Sequence, residues 1–261
     1  MANSSKIEWT EATWNPTTGC TKISEGCKNC YAEKMSKRLK LMGVKKYKNQ
    51  FKFSQHTSEL NLPLKWKNPR KIFVNSMSDL FHEDSDLTFV GRCFLTMTKA
   101  NKHIFQILTK RPKRMLEYSI QHEKFFGKPI DDHIWLGTSI ENKRNAYRIN
   151  YLRKINCAIK FISFEPLIDS VGTIDLTNID WVIIGGESGP NYRPVKEKWI
   201  QEIISQCEEQ NVKIFFKQWG GFRPKSNGRE INGRTYDEFP DITQKKKQLL
   251  ITSQLRTSSH H

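Results

Sequence analysis

Cys20, Cys27 and Cys30 stand at C-x6-C-x2-C spacing in the stretch CTKISEGCKNC, whereas Cys93, Cys157 and Cys207 lie far apart along the chain. Three thiolates so spaced can surround one metal centre, because the C-x2-C pair turns both sulfurs inward across a turn and the longer arm returns the third. A closed structural zinc site would use four protein ligands, usually as two close pairs, and no cysteine or histidine follows until His56. Three cysteines alone point to an iron–sulfur cubane with one open iron. Two other readings stay open on the residues alone: zinc completed by water or a distant histidine such as His82, and three thiols that hold no metal. A disulfide scaffold does not fit, since six cysteines in 261 residues are sparse and the cluster is odd in number. Cys93, Cys157 and Cys207 read as small buried hydrophobes, and His103, His122 and His133 as structural residues at element edges.

Lys and Arg outnumber Asp and Glu by 43 to 27, a net charge of +16, so a polyanionic partner is expected. The densest basic run lies between Glu33 and Glu59 with no acidic residue inside it. Lys37, Arg38, Lys45, Lys46, Tyr47, Lys48 and Lys52 are the candidate nucleic-acid contacts there; with Phe51 and Phe53 interleaved, the run suits phosphate contacts combined with base stacking. The plainer reading is a solvated helix face followed by a basic loop. No apolar run is long enough to cross a bilayer, and the opening MANSSKIEWTEATW lacks the charged-then-apolar order of a signal peptide. No membrane association and a reducing cytoplasm are therefore expected.

These groups need a scaffold, and the chain supplies one in repeated units. YAEKMSKRLKLMG predicts a helix from near Tyr31 to Gly43, with Met35, Leu39 and Met42 on one face. Apolar runs rich in β-branched and aromatic residues then begin at Lys71, His103, Ile134, Ile159, Asp180 and Lys213. Between them, helical periodicity covers 87–100, 114–121, 144–155 and 197–210, whereas 169–178 has none and makes the fifth unit degenerate. With a first strand around Ile7 to Trp9, the expected fold is α/β: a single incomplete or distorted (β/α) barrel of six to seven parallel strands. It would occupy residues 1–242, followed by a basic tail over 243–261.

In such a barrel all strand exits open on one rim. The exits here carry Ser76, Ser78 and Asp79; Lys110 and Arg111; Ser139, Glu141 and Asn142; Glu165; Glu187; and Lys217. Six strands thus deliver ionisable or hydroxyl groups to one mouth.

The motifs WNPTTGC, GCKNCYAE, VNSMSDLFHE, ILTKRP, WLGTSIEN, FISFEPL, VIIGGESGP and FFKQWG, in this order, resemble a phage-associated family defined by a three-cysteine motif, a domain of unknown function. The resemblance spans nearly everything from Trp9 to Gly220, and is more distantly one to radical S-adenosylmethionine enzymes such as spore photoproduct lyase. In that superfamily three cysteines hold a 4Fe-4S cluster whose open iron binds S-adenosylmethionine, which implies Cys20, Cys27 and Cys30 as ligands. The resemblance also implies Ser76, Ser78 and Asp79 at the methionine amine, Lys110 and Arg111 at the carboxylate, and Ser139, Glu141 or Asn142 at the ribose. Glu165, Glu187 and Lys217 then remain for substrate binding or proton handling. The spacing differs from the superfamily's common C-x3-C-x2-C, so the loop must bulge. Its Gly-Gly-Glu signature normally follows the second strand, whereas GGE lies here at Gly185 to Glu187, so amine binding is not carried onto Glu187.

The function expected is that of an iron–sulfur, radical S-adenosylmethionine-type enzyme repairing or modifying a base in nucleic acid, served by an electron donor. Its alternative is a non-catalytic nucleic-acid-binding barrel with a structural zinc or iron–sulfur centre, in a phage or defence setting. The resemblance further implies a protein partner encoded nearby.

Overall fold

A computed structural model of the 261-residue chain describes residues 5, 7–243 and 245. Among the described residues there are nine strands, β1 to β9 in chain order. β1 (Ala12–Thr13) and β4 (Lys71–Val74) to β9 (Lys213–Gln218) form a seven-stranded parallel sheet in the order β1-β4-β5-β6-β7-β8-β9, with β5 at Ile104–Thr109, β6 at Ile134–Ser139, β7 at Lys160–Phe164 and β8 at Trp181–Gly185. β2 (Thr17–Thr18) and β3 (Ser54–Gln55) form a separate antiparallel pair. Because each strand joins the one before it, the sheet curls in one direction and makes a half-barrel, the incomplete (β/α) barrel expected. On the free side of β9, Phe216 N donates to Tyr236 O (2.9 Å) and Glu238 N to Ile214 O (3.0 Å).

The helices are α1 (Tyr31–Leu41), α2 (Leu87–Lys99), α3 (Pro112–Phe126), α4 (Arg148–Arg153) and α5 (Glu197–Glu209). Their ends follow local chemistry. The Asp86 carboxylate caps α2 by accepting from Thr88 N, and α3 opens on Pro112 and closes at Gly127 in the left-handed region. The 169–178 segment carries no helix, as expected. Its place is filled by Val171, Ile174 and Leu176 packed in the core, with Ile174 N held by the Gln206 side chain of α5 and Leu176 N by that of Gln210, the residue capping its C-terminus.

Alternation along the strands separates two apolar layers. One set, including Ile72, Ile107, Leu136, Ile162, Val182 and Phe216, packs with helix residues such as Phe94, Met115 and Ile203. The other comprises Trp9, Trp135, Ile159, Phe161, Trp181, Ile183 and Phe215 and fills the barrel interior towards the N-terminal ends of the strands. Two expectations are corrected. The first strand is Ala12–Thr13, not Ile7 to Trp9; Trp9 instead plugs the interior, with ring centroids 4.7 Å from Phe73 and 6.3 Å from Trp181. Met42 is 66% exposed, because α1 ends at Leu41 and the chain turns away at Gly43 before Met42 can join Met35 and Leu39. The expected 243–261 tail falls almost wholly outside the described residues.

Candidate functional site

Beside the aromatic plug the barrel opens on a cavity of about 2420 Å³ that extends from the strand exits to residues 5–11. Strand exits surround it: Ser76, Ser78 and Asp79 after β4, Lys110 and Arg111 after β5, Ser139 at the end of β6, Glu165 after β7, Glu187 after β8 and Lys217 in β9 all line it. Cys20, Cys27 and Cys30 line it too. Glu141 and Asn142 do not contribute to this wall: both are buried, Glu141 completely, behind the cysteine loop.

That loop is clamped at three points. At its start, Arg111 donates to Asp79 (3.1 Å), Glu83 (2.7 Å) and Thr21 Oγ1 (2.9 Å), and its Nη1 lies 3.6 Å from Cys20 Sγ. Asp79 also accepts from Thr109 Oγ1 (2.6 Å) and Lys110 N (3.1 Å), so it joins the β4 and β5 exits. In the middle, Ser24 Oγ donates to Glu141 (2.8 Å), which pairs with Arg148 (3.0 Å) and Lys110. At the far end Glu187 accepts from Asn29 Nδ2 (3.0 Å) and twice from the Arg193 guanidinium (2.5 and 2.9 Å), while Arg193 Nη1 reaches Glu25 O (3.0 Å). Gly26 permits the middle clamp, since a Cβ there would stand 2.3 Å from Glu141 Cγ; beside Glu187, a Cβ on Gly186 would stand 1.9 Å from Trp219 O.

Electrostatics distinguish the three thiols. Burial pushes Cys20 up to about 12, with Asp79 adding to the shift and Arg111 opposing it, and burial likewise raises Cys30. Burial also acts against ionisation of Cys27, but the Lys110 charge and backbone hydrogen bonds at Ile23 and Ser24 outweigh it and bring this thiol below its ordinary range. All three are free and half-buried. Among the described residues no three His, Cys, Asp or Glu side chains are gathered as they would be around a bound ion. Cys20, Cys27 and Cys30 line one cavity, with Lys110 and Arg111 beside them to offset the negative charge of thiolates; by donor type these are the groups a cubane with one open iron would use. His82, the distant histidine considered for zinc, has Nε2 within 3.1 Å of Thr21 N and Nδ1 within 3.1 Å of Asp84 N, and its ring stacks on Phe53.

On the opposite wall Lys217 pairs with Glu165 (2.8 Å), which also accepts from Ser163 Oγ (3.0 Å). Burial alone would lower Lys217, but Glu165 holds it above its ordinary value, so the ammonium stays charged. The Ser76 hydroxyl is held by Asn15, and that of Ser78 by Thr17 and Asn75.

The basic run divides. Lys37, Arg38, Lys45, Lys48 and Lys52 are exposed, Lys37 with a 3.3 Å contact to Glu33. Lys46 is committed to Glu59 (3.2 Å) and Asn15 O (2.7 Å). Tyr47 corrects the expected stacking platform: it is 7% exposed, packed with Ala32 and Met77, because the 3-10 turn Lys45–Tyr47 directs it inward. Arg193, Asn29, Ser24 and Arg148 were not identified from sequence; apart from an arginine and an asparagine near recognised motifs, nothing local marks them. Cys93, Cys157 and Cys207 are buried as expected, and His103 and His133 bond backbone carbonyls of Pro63 and Met97.

Fold and rim together define an open parallel (β/α) half-barrel whose mouth is crossed by a clamped three-cysteine loop. Residues 4–240 match the family described as "Protein of unknown function (DUF5131)", and the chain belongs to that family. No curated protein and no solved structure matches it. Among the described residues no helix is long and apolar enough to cross a membrane.

Proposed function

We propose that the protein is an iron–sulfur enzyme of the radical S-adenosylmethionine type that repairs or modifies a base in nucleic acid. The observation that carries this reading is that three free thiols and the polar strand exits line one cavity beside an aromatic floor. Cys20, Cys27 and Cys30 would hold the cluster. When bound, the cluster and S-adenosylmethionine together supply a 5′-deoxyadenosyl radical for abstraction of a substrate hydrogen. The chain's own residues bind and orient. Ser76, Ser78 and Ser139 bring polar groups to the cavity wall, Lys110 and Arg111 bring positive charge to the cysteine loop, and Lys217 holds a proton at Nζ against Glu165. The packed rings of Trp9, Trp135 and Trp181 exclude water from below. The net charge of +16 and the exposed lysines of the basic run support a polyanionic substrate. An electron donor and a protein partner complete the proposal.

Anaerobic reconstitution with iron and sulfide, followed by reduction in the presence of S-adenosylmethionine, tests it. A brown protein with about four irons per chain that releases 5′-deoxyadenosine is expected. A colourless protein with one zinc overturns it. One observation favours a second reading, a non-catalytic nucleic-acid-binding barrel with a structural centre: Asp79, Glu141 and Glu187 are each satisfied by arginine or lysine. An intact cluster that yields no 5′-deoxyadenosine would decide for that alternative.

A further inference from the structure

Two large aromatic side chains at the cavity are left in solvent. Tyr31 is 65% exposed and Phe222 61% exposed, yet both line the cavity that holds the three thiols. They are joined by a continuous strip. Tyr31 opens α1 immediately after Cys30, and Lys34 lies one helical turn further on. Lys34 Nζ reaches across to the β8 exit, where it stands 3.4 Å from the position a Cβ on Gly189 would occupy. Gly189 N donates to Gly221 O (2.9 Å), and Phe222 is the next residue. Lys34 and Arg223 are both exposed, and neither pairs with a carboxylate among the described residues. The strip therefore runs ring, cation, open backbone and ring along the mouth, and the exposed Arg223 follows Phe222 directly in the chain.

We infer that this strip binds single-stranded nucleic acid, with Tyr31 and Phe222 stacking on unpaired bases, Lys34 meeting the phosphate between them and Arg223 the phosphate beyond Phe222. The inference rests on the nucleic-acid reading above and narrows its substrate class. In a duplex the base faces are occupied by each other, leaving only edges and phosphates for a protein; an exposed ring beside a cavity is useful where a face has been freed. Alternating aromatic and cationic side chains along a groove are the arrangement that single strands require. Tyr31 and Phe222 thus take the part that the buried Tyr47 cannot.

The test is fluorescence anisotropy of the full-length protein with a labelled oligothymidylate of about 12 nucleotides and with a duplex of the same length, metal content being measured for every variant. The single strand should bind at least tenfold more tightly than the duplex. Y31A and F222A should each weaken single-strand binding by roughly five- to hundredfold and leave duplex binding and metal content unchanged, whereas Y31W should restore it. K34Q should reduce the slope of log K against log salt by about 0.7. Equal binding of both probes, indifferent to the two alanine variants, would overturn the strip while leaving nucleic-acid binding intact. Failure to bind either probe would remove both this inference and the reading on which it rests.

Discussion

Gly26 has no room for a methyl group, since a Cβ there would fall 2.3 Å from Glu141 Cγ and the carboxylate is pinned by Arg148 and Lys110. G26A must therefore displace the loop that carries Cys27. We expect a large loss of bound iron after reconstitution with an unchanged far-ultraviolet circular dichroism spectrum; full iron content would contradict the fit. Glu141 itself is completely buried, and its removal strands two cations. E141A should cost about 3–5 kcal/mol in urea unfolding. Burial opposes ionisation of Glu141 and Glu187, yet Lys110 and Arg148 in the first case, and hydrogen bonds from Arg193 and Asn29 in the second, hold both below the usual carboxylate range. Groups depressed on folding stabilise the native state above their unfolded pKa and lose that contribution as pH falls through the folded value. These two carboxylates should accordingly make the urea midpoint decline as pH falls below roughly 4; a rise on acidification would contradict the sign. The thiols were legible because they stand together in one short string, and the rim carboxylates because they stand at strand exits. Arg193, Asn29 and Arg148 were not, because their meaning lies in partners that only folding supplies: Asn29 and Glu187 are 158 residues apart.

Six of the seven sheet strands could be placed from apolar runs alone, because one face packs on the helices and part of the other on the aromatic plug, so β-branched and aromatic residues crowd into a few positions. β1 escaped that logic. It is two residues long and pairs only through Ala12 and Thr13 with Ile72 and Phe73, too short for any periodicity. The neighbouring IEW sequence drew attention instead, and Trp9 proved to be the piece that seals the barrel interior. W9A should cost about 3–5 kcal/mol in urea unfolding, as for other fully buried aromatic deletions. A cost below ~1 kcal/mol would mean that the floor is not packed as described. Helix α4 also differs from its expected span of 144–155: Lys143–Asn145 forms a separate 3-10 turn capped by Asn142, whose side chain accepts from Asn145 N. The periodicity continued through this break because Ile149 and Leu152 face the core on both readings.

Considered as one body, the protein concentrates its chemistry at one end and its packing at the other. The curl of a sheet ordered strictly by sequence brings six exits together, and the cysteine loop crosses them before the first full βα unit begins. Such a sheet, being open, has two margins. The one at β9 is occupied by residues 236–238, where Phe216 and Ile214 find their backbone partners, and the Phe239 ring then packs at a tilt with its centroid 5.0 Å from that of Trp181. A chain ending at Thr235 would lose that selvedge and present bare amides and carbonyls, which recruit a strand from the next copy. Light scattering of the shortened protein should find growing assemblies at concentrations where the intact chain gives none; equal particle sizes would show that the last short segment merely decorates the barrel instead of keeping it solitary.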